Sequence, residues 1–398
     1  MVKSIPRPWT EEQRPARLED LCAFLETLAP LAAAEPWDKV GLLAAPPADL
    51  ARRGVAEILV ALDLTPPVRD QAIKLGTDLL VCYHPPLFEP IERLRCDRQT
   101  PSALAVELAY HGLAIYSPHT ALDVAQGGTN DALARQLGLR PGGSLKPLVG
   151  ARHVKLAVFV PEAHVEKVAT AVFDAGAGRI GKNSRYRHCS FRTKGTGTFF
   201  GDASTRPAVG RKGRLEYVAE VRLETVVPIS CLEAVVTALK KAHPYEEPAF
   251  DLLAMEALPE EPGLGRLAKL PKPMELAALA KRCAGALGLP QVQMVGPARR
   301  RIATVAILAG SAGRWPIEAA RRHPFDALIT GELKHHDMIA LQAAELTAIC
   351  LGHGPSEQPV LRVLARRLAE KFPAVRVRLS RPGVTPYEWV AGEPRCGA

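Results

Sequence analysis

The feature that most constrains the fold is an alternation of short apolar strand patterns with helix patterns. In the first part of the chain the strand-like segments are EILVALDL (57–64), DLLVCYH (78–84) and LAIYSPH (113–119), and a helix-like segment follows each of them. Strands that alternate with helices in this way form mainly parallel sheets covered by helices. We therefore predict an N-terminal α/β lobe over residues 1–149.

The same alternation returns near the C-terminus. Its strand-like segments are IATVAILAG (302–310), DALITGE (326–332), TAICLG (347–352) and VRVRLS (375–380). We assign all four to a C-terminal α/β lobe over residues 259–398. The pattern therefore predicts two α/β lobes.

The segment between the lobes has a different order of elements. A strand (VKLAVFVP, 154–161) is followed by a helix, two long strands, a second helix and a last strand (AFDLLAMEAL, 249–258). This βαββαβ order is that of a ferredoxin-like α+β unit. Pro- and Gly-rich stretches at 139–150 and 257–273 flank it, so we predict an inserted domain over residues 150–258.

Two motifs in the insert favour turns over binding sites. Gly176, Gly178 and Gly181 have the GxGxxG spacing, but this loop follows a helix and leads into a strand, whereas a dinucleotide fingerprint needs the reverse order. The segment HPYEEP (243–248) could supply a second metal site, but its flanking prolines favour a shaped turn.

The charge distribution argues against a nucleic-acid partner. The net charge is +9, but Lys and Arg are spread as pairs inside helical patterns, and the tight cluster RRRI (299–302) stands alone. Aromatic residues, which stack on bases, make up only 5% of the chain. Solvated helix faces are the simpler interpretation.

Cysteine spacing and hydropathy indicate the compartment. The eight cysteines are never closer than fourteen residues, so the chain has no CxxC pair, and at this size a disulfide scaffold is not expected. The N-terminus lacks the apolar core of a signal peptide, and no run of about 18 apolar residues follows. We expect a reduced, cytoplasmic protein without a membrane partner.

Imidazoles and carboxylates cluster just after the predicted strands. Ligands of open parallel sheets gather beyond the carboxyl ends of the strands, and these side chains suit a divalent metal. Taken singly, each has a simpler explanation as a hydrogen-bonded histidine or a helix-capping carboxylate. Their occurrence at four strand ends favours function. The candidates are His84, His119, Asp123, Glu332, His335, His336, His353 and Glu357.

Five segments of the chain carry a resemblance to a known family: WDKVGL (37–42), DLLVCYHPPLF (78–88), YSPHTALDVAQGGTNDALA (116–134), ITGELKHHD (329–337) and GHGPSE (352–357). Together they resemble the Nif-three-like family of dinuclear-metal-centre proteins, many of which are named as homologues of a type 2 GTP cyclohydrolase I. This resemblance implies that the two α/β lobes form one domain. The resemblance runs from about Leu18 to Trp389. The middle segment resembles the PII-like or CutA-like insertion of the longer family members, through GAGRIGKNS, GTGTFF and HPYEEPAFD.

The resemblance implies one or two divalent metal ions per chain, of zinc, iron or manganese. Tyr83 stands where the family has a histidine, and a neutral phenol is a poor ligand near pH 7. A second metal is therefore in doubt. The implied metal positions are Tyr83, His84, Asp123, His353 and Glu357.

We expect the remaining polar residues to serve proton transfer or substrate contact. These residues are His119, Glu332, His335 and His336. The leading hypothesis is metal-dependent hydrolysis of a small molecule such as a nucleotide or phosphoester. The alternative is a non-catalytic metal- or ligand-sensing assembly. In either case the resemblance implies a homo-oligomer, and a hexamer in particular.

Overall fold

The chain divides into two units, one made of residues 1–146 and 262–398 and the other of residues 147–261. The computed structural model describes residues 16–46, 54–91, 97–147, 153–180, 185–255 and 262–381. Each unit has its own sheets and apolar cores.

The helices and strands of these residues are numbered in chain order. The strands are β1 (Gly41–Ala44), β2 (Glu57–Ala61), β3 (Leu79–Cys82), β4 (Ala114–Ser117), β5 (Lys146–Pro147), β6 (His153–Pro161), β7 (Ser190–Phe200), β8 (Leu215–Pro228), β9 (Phe250–Ala254), β10 (Gly263–Leu264), β11 (Arg266–Glu275), β12 (Gln293–Val295), β13 (Arg301–Ser311), β14 (Ala327–Glu332), β15 (Thr347–Cys350) and β16 (Arg376–Leu379). The helices are α1 (Leu18–Leu28), α2 (Pro66–Leu75), α3 (Pro101–Tyr110), α4 (His119–Val124), α5 (Thr129–Gln136), α6 (Val165–Asp174), α7 (Leu232–Ala242), α8 (Leu276–Leu287), α9 (Trp315–Arg322), α10 (His335–Ala343) and α11 (His353–Lys371).

Local sequence explains where several helices begin and end. Proline occupies the first turn of α2, α3 and α9, where its fixed φ suits a helix and its missing N–H costs nothing. Helices α2 and α8 end at Gly76 and Gly288, which have φ of 64° and 67°. Glycine adopts this left-handed conformation without the penalty of a side chain.

The larger unit contains two five-stranded sheets. The first has the order β1-β4-β3-β2-β16, in which β16, β2, β3 and β4 run parallel and β1 is antiparallel to β4. The second has the order β11-β13-β14-β15-β12, with β13, β14 and β15 parallel and both edge strands antiparallel. The α/β class predicted from the sequence is confirmed.

The C-terminal strand belongs to the first sheet, so its assignment to the C-terminal lobe is wrong. Strand β16 pairs in parallel with β2, with Val377 opposite Ile58. Helix α11, which precedes it, buries Leu364 and Leu368 in the core that contains Ile58. The strand pattern of VRVRLS predicts a strand, but the choice of sheet follows from the side on which α11 packs.

Helix α5 shows the converse arrangement: it follows the N-terminal strands in the chain but packs against the second sheet. Its Leu133 and Ala134 lie in the core of the second sheet, with Val305 and Ile307 of β13. Each sheet is therefore covered in part by a helix from the other half of the sequence. This exchange ties the two halves of the larger unit together.

A buried ion pair reinforces that connection. Arg266 on β11 is 3% exposed, and its Nη2 lies 2.8 Å from Oδ2 of Asp131 on α5. The same guanidinium donates to the carbonyl oxygens of Gly263, Gly265 and Ala125, at 2.6, 2.7 and 2.9 Å. A buried charge is tolerated only when it is paired and hydrogen-bonded in this way.

The smaller unit contains a four-stranded antiparallel sheet with the order β7-β8-β6-β9. Helices α6 and α7 cover one of its faces, where Val168, Val172, Val235 and Leu239 meet the alternate apolar residues of β6 and β8. Its chain order is strand, helix, two strands, helix and strand. Its relation to PII-like or CutA-like domains stays a prediction.

Glycines Gly176 and Gly178 form the turn that ends α6. Their φ values are 111° and 70°, and the Gly178 N–H donates to Val226 O at 2.8 Å. Gly181, the third glycine of the GxGxxG spacing, lies outside the described residues. In HPYEEP, His243 Nε2 contacts Phe159 O at 3.0 Å and the Tyr245 hydroxyl donates to Glu220 at 2.8 Å, so these two side chains serve the fold of the unit.

No helix in the described ranges is long and apolar enough to cross a membrane.

Candidate metal centre

The carboxyl ends of the parallel strands in both sheets of the larger unit supply the candidate site. Tyr83 and His84 follow β3, and their backbone N–H groups donate to Ala61 O and Leu62 O, both at 2.9 Å. The ladder between β2 and β3 therefore continues beyond the strand. This extension holds His84 in a defined orientation at the edge of the sheet.

His353 and Glu357 lie in the first turn of α11, directly after β15. Residues four apart on a helix share one face, so the two side chains point the same way. Gly352, with φ of 88°, makes the turn from the strand into the helix, and its N–H donates to Gly331 O at 2.8 Å. The helix start is thus aligned with the ends of β14 and β15.

His84, His353 and Glu357 converge to form a group that could hold a metal ion. One ligand atom from each residue can be chosen so that all three lie within 4.8 Å of one another. His84 Nε2 is 3.3 Å from Glu357 Oε2, and His353 Nε2 is 3.2 Å from Glu357 Oε1. Glu357 is 4% exposed, and its Oε2 accepts no hydrogen bond from the described residues.

Carboxylates behind the two histidines orient their rings. Asp63 Oδ1 lies 2.8 Å from His84 Nδ1, and Glu332 Oε1 lies 3.0 Å from His353 Nδ1. Histidines that bind metals typically donate their second ring N–H to a carboxylate, which fixes the tautomer and aims the other nitrogen at the ion. Both rings therefore present Nε2 toward Glu357.

The electrostatics of the group suit a cation. Burial alone would lower the pKa of His84, but the Asp63 and Glu357 carboxylates outweigh it and raise that pKa to about 10. The Glu357 carboxylate, helped by Glu332, raises the pKa of His353 to about 9. Burial would raise the pKa of Glu357, and the two imidazoles lower it below its usual value. Two imidazole nitrogens and a carboxylate are donors that zinc, iron and manganese accept.

Tyr83 and Asp123 contact each other and stay outside this group of three. The Tyr83 hydroxyl donates to Asp123 Oδ1, and Tyr83 is 1% exposed. Burial and the charges of Asp123 and Glu357 raise the pKa of Tyr83 well above its usual value, so the phenol stays neutral. Burial, followed by the charge of Glu357, raises the pKa of Asp123 to about 6 against the effect of the Tyr83 hydrogen bond.

His119 forms a dyad with Asp38 beside the group. Asp38 Oδ1 is 2.8 Å from His119 Nδ1, and the Asp38 side chain has no solvent exposure. The His119 ring centroid is 5.3 Å from that of His84 and 5.6 Å from that of Tyr83. An imidazole whose Nδ1 is held by a carboxylate keeps Nε2 free for proton transfer.

The other predicted catalytic residues take different positions. Glu332 orients His353, as described above, and its side chain is 55% exposed. His335 and His336 begin α10 with exposed side chains, and their ring centroids lie 5.4 Å apart. Their proposed part in proton transfer or substrate contact stays a prediction.

Asp63 and Asp38 are functional candidates that the sequence reasoning missed. Asp63 follows β2, so the strand-end rule that selected His84 could have selected it too. Asp38 lies in a turn before β1, and no local pattern connects it to His119, 81 residues away. Only the fold brings that pair together.

Gly310, on β13, packs directly against the carboxylate of Glu357. Its φ is 68°, and a Cβ at this position would lie 2.6 Å from Glu357 Oε1. The Gly310 N–H donates to Ser356 Oγ at 2.9 Å, and Ser356 Oγ in turn donates to His353 O at 2.7 Å. The backbone of β13 thus contacts the Glu357 carboxylate and is linked to His353 through Ser356.

Comparison with known proteins agrees with this architecture. The model of the Duf34/NIF3 (NGG1p interacting factor 3) family matches residues 16–382. A Bacillus subtilis protein named GTP cyclohydrolase 1 type 2 homolog is 35% identical over 94% of this chain and 98% of its own, and a Halalkalibacterium halodurans protein of the same name is 38% identical over 79% and 82%.

Solved structures are similar to this chain over most of its length. A Bacillus cereus protein related to NIF3 is 32% identical, with a TM-score of 0.64 over 94% of this chain and 98% of its own. Staphylococcus aureus protein SA1388 is 25% identical, with a TM-score of 0.73 over 94% and 99%. With the family model matching most of its length, the chain belongs to the Duf34/NIF3 family.

Proposed function

We propose that this protein is a divalent-metal-dependent hydrolase, with one metal ion held by His84, His353 and Glu357. The observation that carries the proposal is the orientation of the two imidazoles. A carboxylate holds each Nδ1, and both Nε2 atoms face the same buried carboxylate within 3.3 Å. A merely structural histidine needs only one such partner.

When bound, a divalent cation at this position would lower the pKa of a water molecule and polarise a substrate oxygen. The residues of the chain have separate tasks. Asp63 and Glu332 orient the two histidines, and Glu357 supplies a buried negative charge. His119, held by Asp38 beside His84, is placed to accept or return a proton.

The substrate class in this proposal is a small molecule such as a nucleotide or phosphoester. Its support is the shared name of the relatives, GTP cyclohydrolase 1 type 2 homolog, which describes those proteins. Zinc, iron and manganese all fit two imidazoles and a carboxylate, so the donor set does not select among them.

Metal content and turnover together test the proposal. The chelator-treated protein is reconstituted with Zn²⁺, Fe²⁺ or Mn²⁺ and its metal-to-chain ratio is measured by elemental analysis. Glu357→Gln preserves the shape of the side chain and removes its charge. Glu370→Gln, on the exposed part of the same helix, is the matched control.

We expect about one ion per chain in the wild type and in Glu370→Gln, with metal-dependent hydrolysis of at least one nucleotide or phosphoester. Glu357→Gln should lose both. Equal metal content in the two variants would refute the site, and a metal-loaded protein inactive on the whole panel would refute the hydrolase.

The contact between Tyr83 and Asp123 favours a second candidate, a metal- or ligand-sensing assembly without catalysis. A carboxylate already engaged by a buried phenol is less available to a second ion, as expected of a protein that has kept binding and lost turnover. Tight metal binding with a change in protease sensitivity, and no turnover on any substrate, would select this function.

We also propose that the protein is a cytoplasmic homo-oligomer, and a hexamer in particular. The cysteines of the described ranges, such as Cys82 and Cys350, are free thiols, as in a reducing compartment. Light scattering coupled to size exclusion would measure the mass of the assembly. A monomer across the micromolar range would contradict the hexamer.

A further inference from the structure

Two large aromatic side chains are exposed next to the candidate metal centre. Trp37 is 56% exposed and Phe88 is 40% exposed, and their ring centroids lie 6.0 Å apart at an interplanar angle of 68°. Exposed aromatic residues that touch each other beside a polar group are more informative than scattered apolar residues, because such patches mark binding sites.

The pair is continuous with the metal group through His119. The Trp37 ring centroid is 6.2 Å from that of His119, which in turn lies 5.3 Å from that of His84. Phe88 follows His84 by four residues, on the segment that leaves β3. A ring lying on Trp37 and Phe88 would therefore lie next to His119, the residue whose ring neighbours that of His84.

Trp37 stands on a rigid part of the chain, although it lies in a turn. The next residue, Asp38, accepts hydrogen bonds from the backbone N–H and the hydroxyl of Thr120, at 3.0 and 2.5 Å. The Glu35 N–H donates to the same hydroxyl at 3.0 Å. The backbone on both sides of Trp37 is thus tied to α4. These contacts fix the backbone that carries Trp37 beside α4.

We propose that Trp37 and Phe88 form a stacking wall for a planar heteroaromatic ring of the substrate. This inference rests on the proposed function, and it assigns to that site a substrate class with a nucleobase- or pterin-like ring. Such rings stack on aromatic side chains in a way that tolerates differences between rings, and the wall alone contributes roughly 10- to 100-fold in affinity.

The test measures ligand binding, not turnover. Zn²⁺-loaded and metal-free protein are titrated by calorimetry with GTP, UTP and folate as ring-containing probes, and with tripolyphosphate as a probe without a ring. The variants are Trp37→Ala, Trp37→Phe and Phe88→Ala. Tyr110→Ala, at an exposed tyrosine on α3, is the control for loss of a surface aromatic side chain.

We expect Trp37→Ala to weaken the binding of at least one ring-containing probe about 10- to 100-fold, and Phe88→Ala to weaken it less. Tripolyphosphate binding and metal content should stay at wild-type values. Trp37→Phe should retain the affinity but lose the quenching of tryptophan fluorescence that the ligand produces. Tyr110→Ala should behave as the wild type.

Any of three outcomes would overturn the inference. The first is wild-type affinity of Trp37→Ala for every ring-containing probe, and the second is no binding of these probes to the wild type. The third is an equal loss of tripolyphosphate affinity, which would mean that Trp37 shapes the site without stacking. Failure of the hydrolase proposal looks different, because the wall would then still bind rings in a protein that lacks turnover.

Discussion

Replacement of Gly310 by alanine should damage the metal centre although none of the proposed ligands is replaced. The new Cβ would lie 2.6 Å from Glu357 Oε1, about 0.8 Å inside the ordinary contact distance of 3.4 Å. Gly310 is part of β13, so the buried carboxylate must move. Metal–ligand distances are held to within about 0.2 Å, so a displacement of this size is several times the tolerance.

We expect Gly310→Ala to weaken Zn²⁺ binding by at least about 10- to 100-fold, the range typical for loss of a group that orients a ligand. The φ of 68° adds a stability cost of about 1–2 kcal/mol for any residue with a Cβ. Gly313→Ala carries the same kind of backbone cost, because its φ is 61°, but its Cβ would meet nothing within 4 Å.

Competition with a chromophoric chelator measures the affinity, and urea denaturation measures the stability. Both variants should lose stability, Gly310→Ala at least as much as Gly313→Ala because its Cβ also displaces a buried carboxylate, and only Gly310→Ala should lose metal affinity. If Gly310→Ala binds Zn²⁺ as tightly as Gly313→Ala does, then Glu357 is not a ligand or its position does not matter, and the site assignment is wrong.

Three further predictions concern Tyr83, Asp38 and Arg266. Tyr83→His should release Asp123 and raise the metal-to-chain ratio from about one toward two, and an unchanged ratio in elemental analysis would contradict this. The hydrogen bonds of His119 and Thr120 outweigh burial and lower the pKa of Asp38 to about 2. Asp38 should therefore contribute about 2 kcal/mol of stability above the unfolded-state pKa near 3.9, and this contribution should vanish as the pH falls through 2. Asp38→Asn should be less stable than the wild type at pH 7, and the gap should narrow between pH 4 and 2 in urea titrations; a constant gap would exclude the ionic contribution. Arg266→Met should cost about 3 kcal/mol, because it removes the buried partner of Asp131 and leaves that carboxylate only the more exposed Arg135, 3.7 Å away. The double variant with Asp131→Leu should regain much of this stability, and thermal or urea unfolding of both variants would decide.

Local pattern was enough to identify the strands and helices that carry the site. Runs such as 79–82 and 347–350 are fully buried in their sheets, and such strands can be recognised in the sequence because nearly all of their residues are apolar. The rule that ligands gather beyond the carboxyl ends of strands selected His84, His353 and Glu357, which the fold brings within 4.8 Å of one another.

What local pattern could not decide was the partnership of distant elements. Strand β16 pairs with β2, and helix α5 packs on the second sheet, because their apolar faces fit there. The hydrophobic effect is non-directional, so an apolar pattern in the sequence does not specify which apolar surface it will contact.

The same limit explains the site residues that were missed or misjudged. From the sequence, Asp38 and Asp63 cannot be distinguished from ordinary surface aspartates. Only the fold brings each of them within 2.8 Å of an imidazole, that of His119 or His84. The sequence by itself determined the α/β class and most of the element types, and it predicted five metal positions, of which the structure brings His84, His353 and Glu357 together. Only the tertiary structure decided that Tyr83 engages Asp123 and that Trp37 stands beside His119, because these contacts join segments about 40 and 80 residues apart.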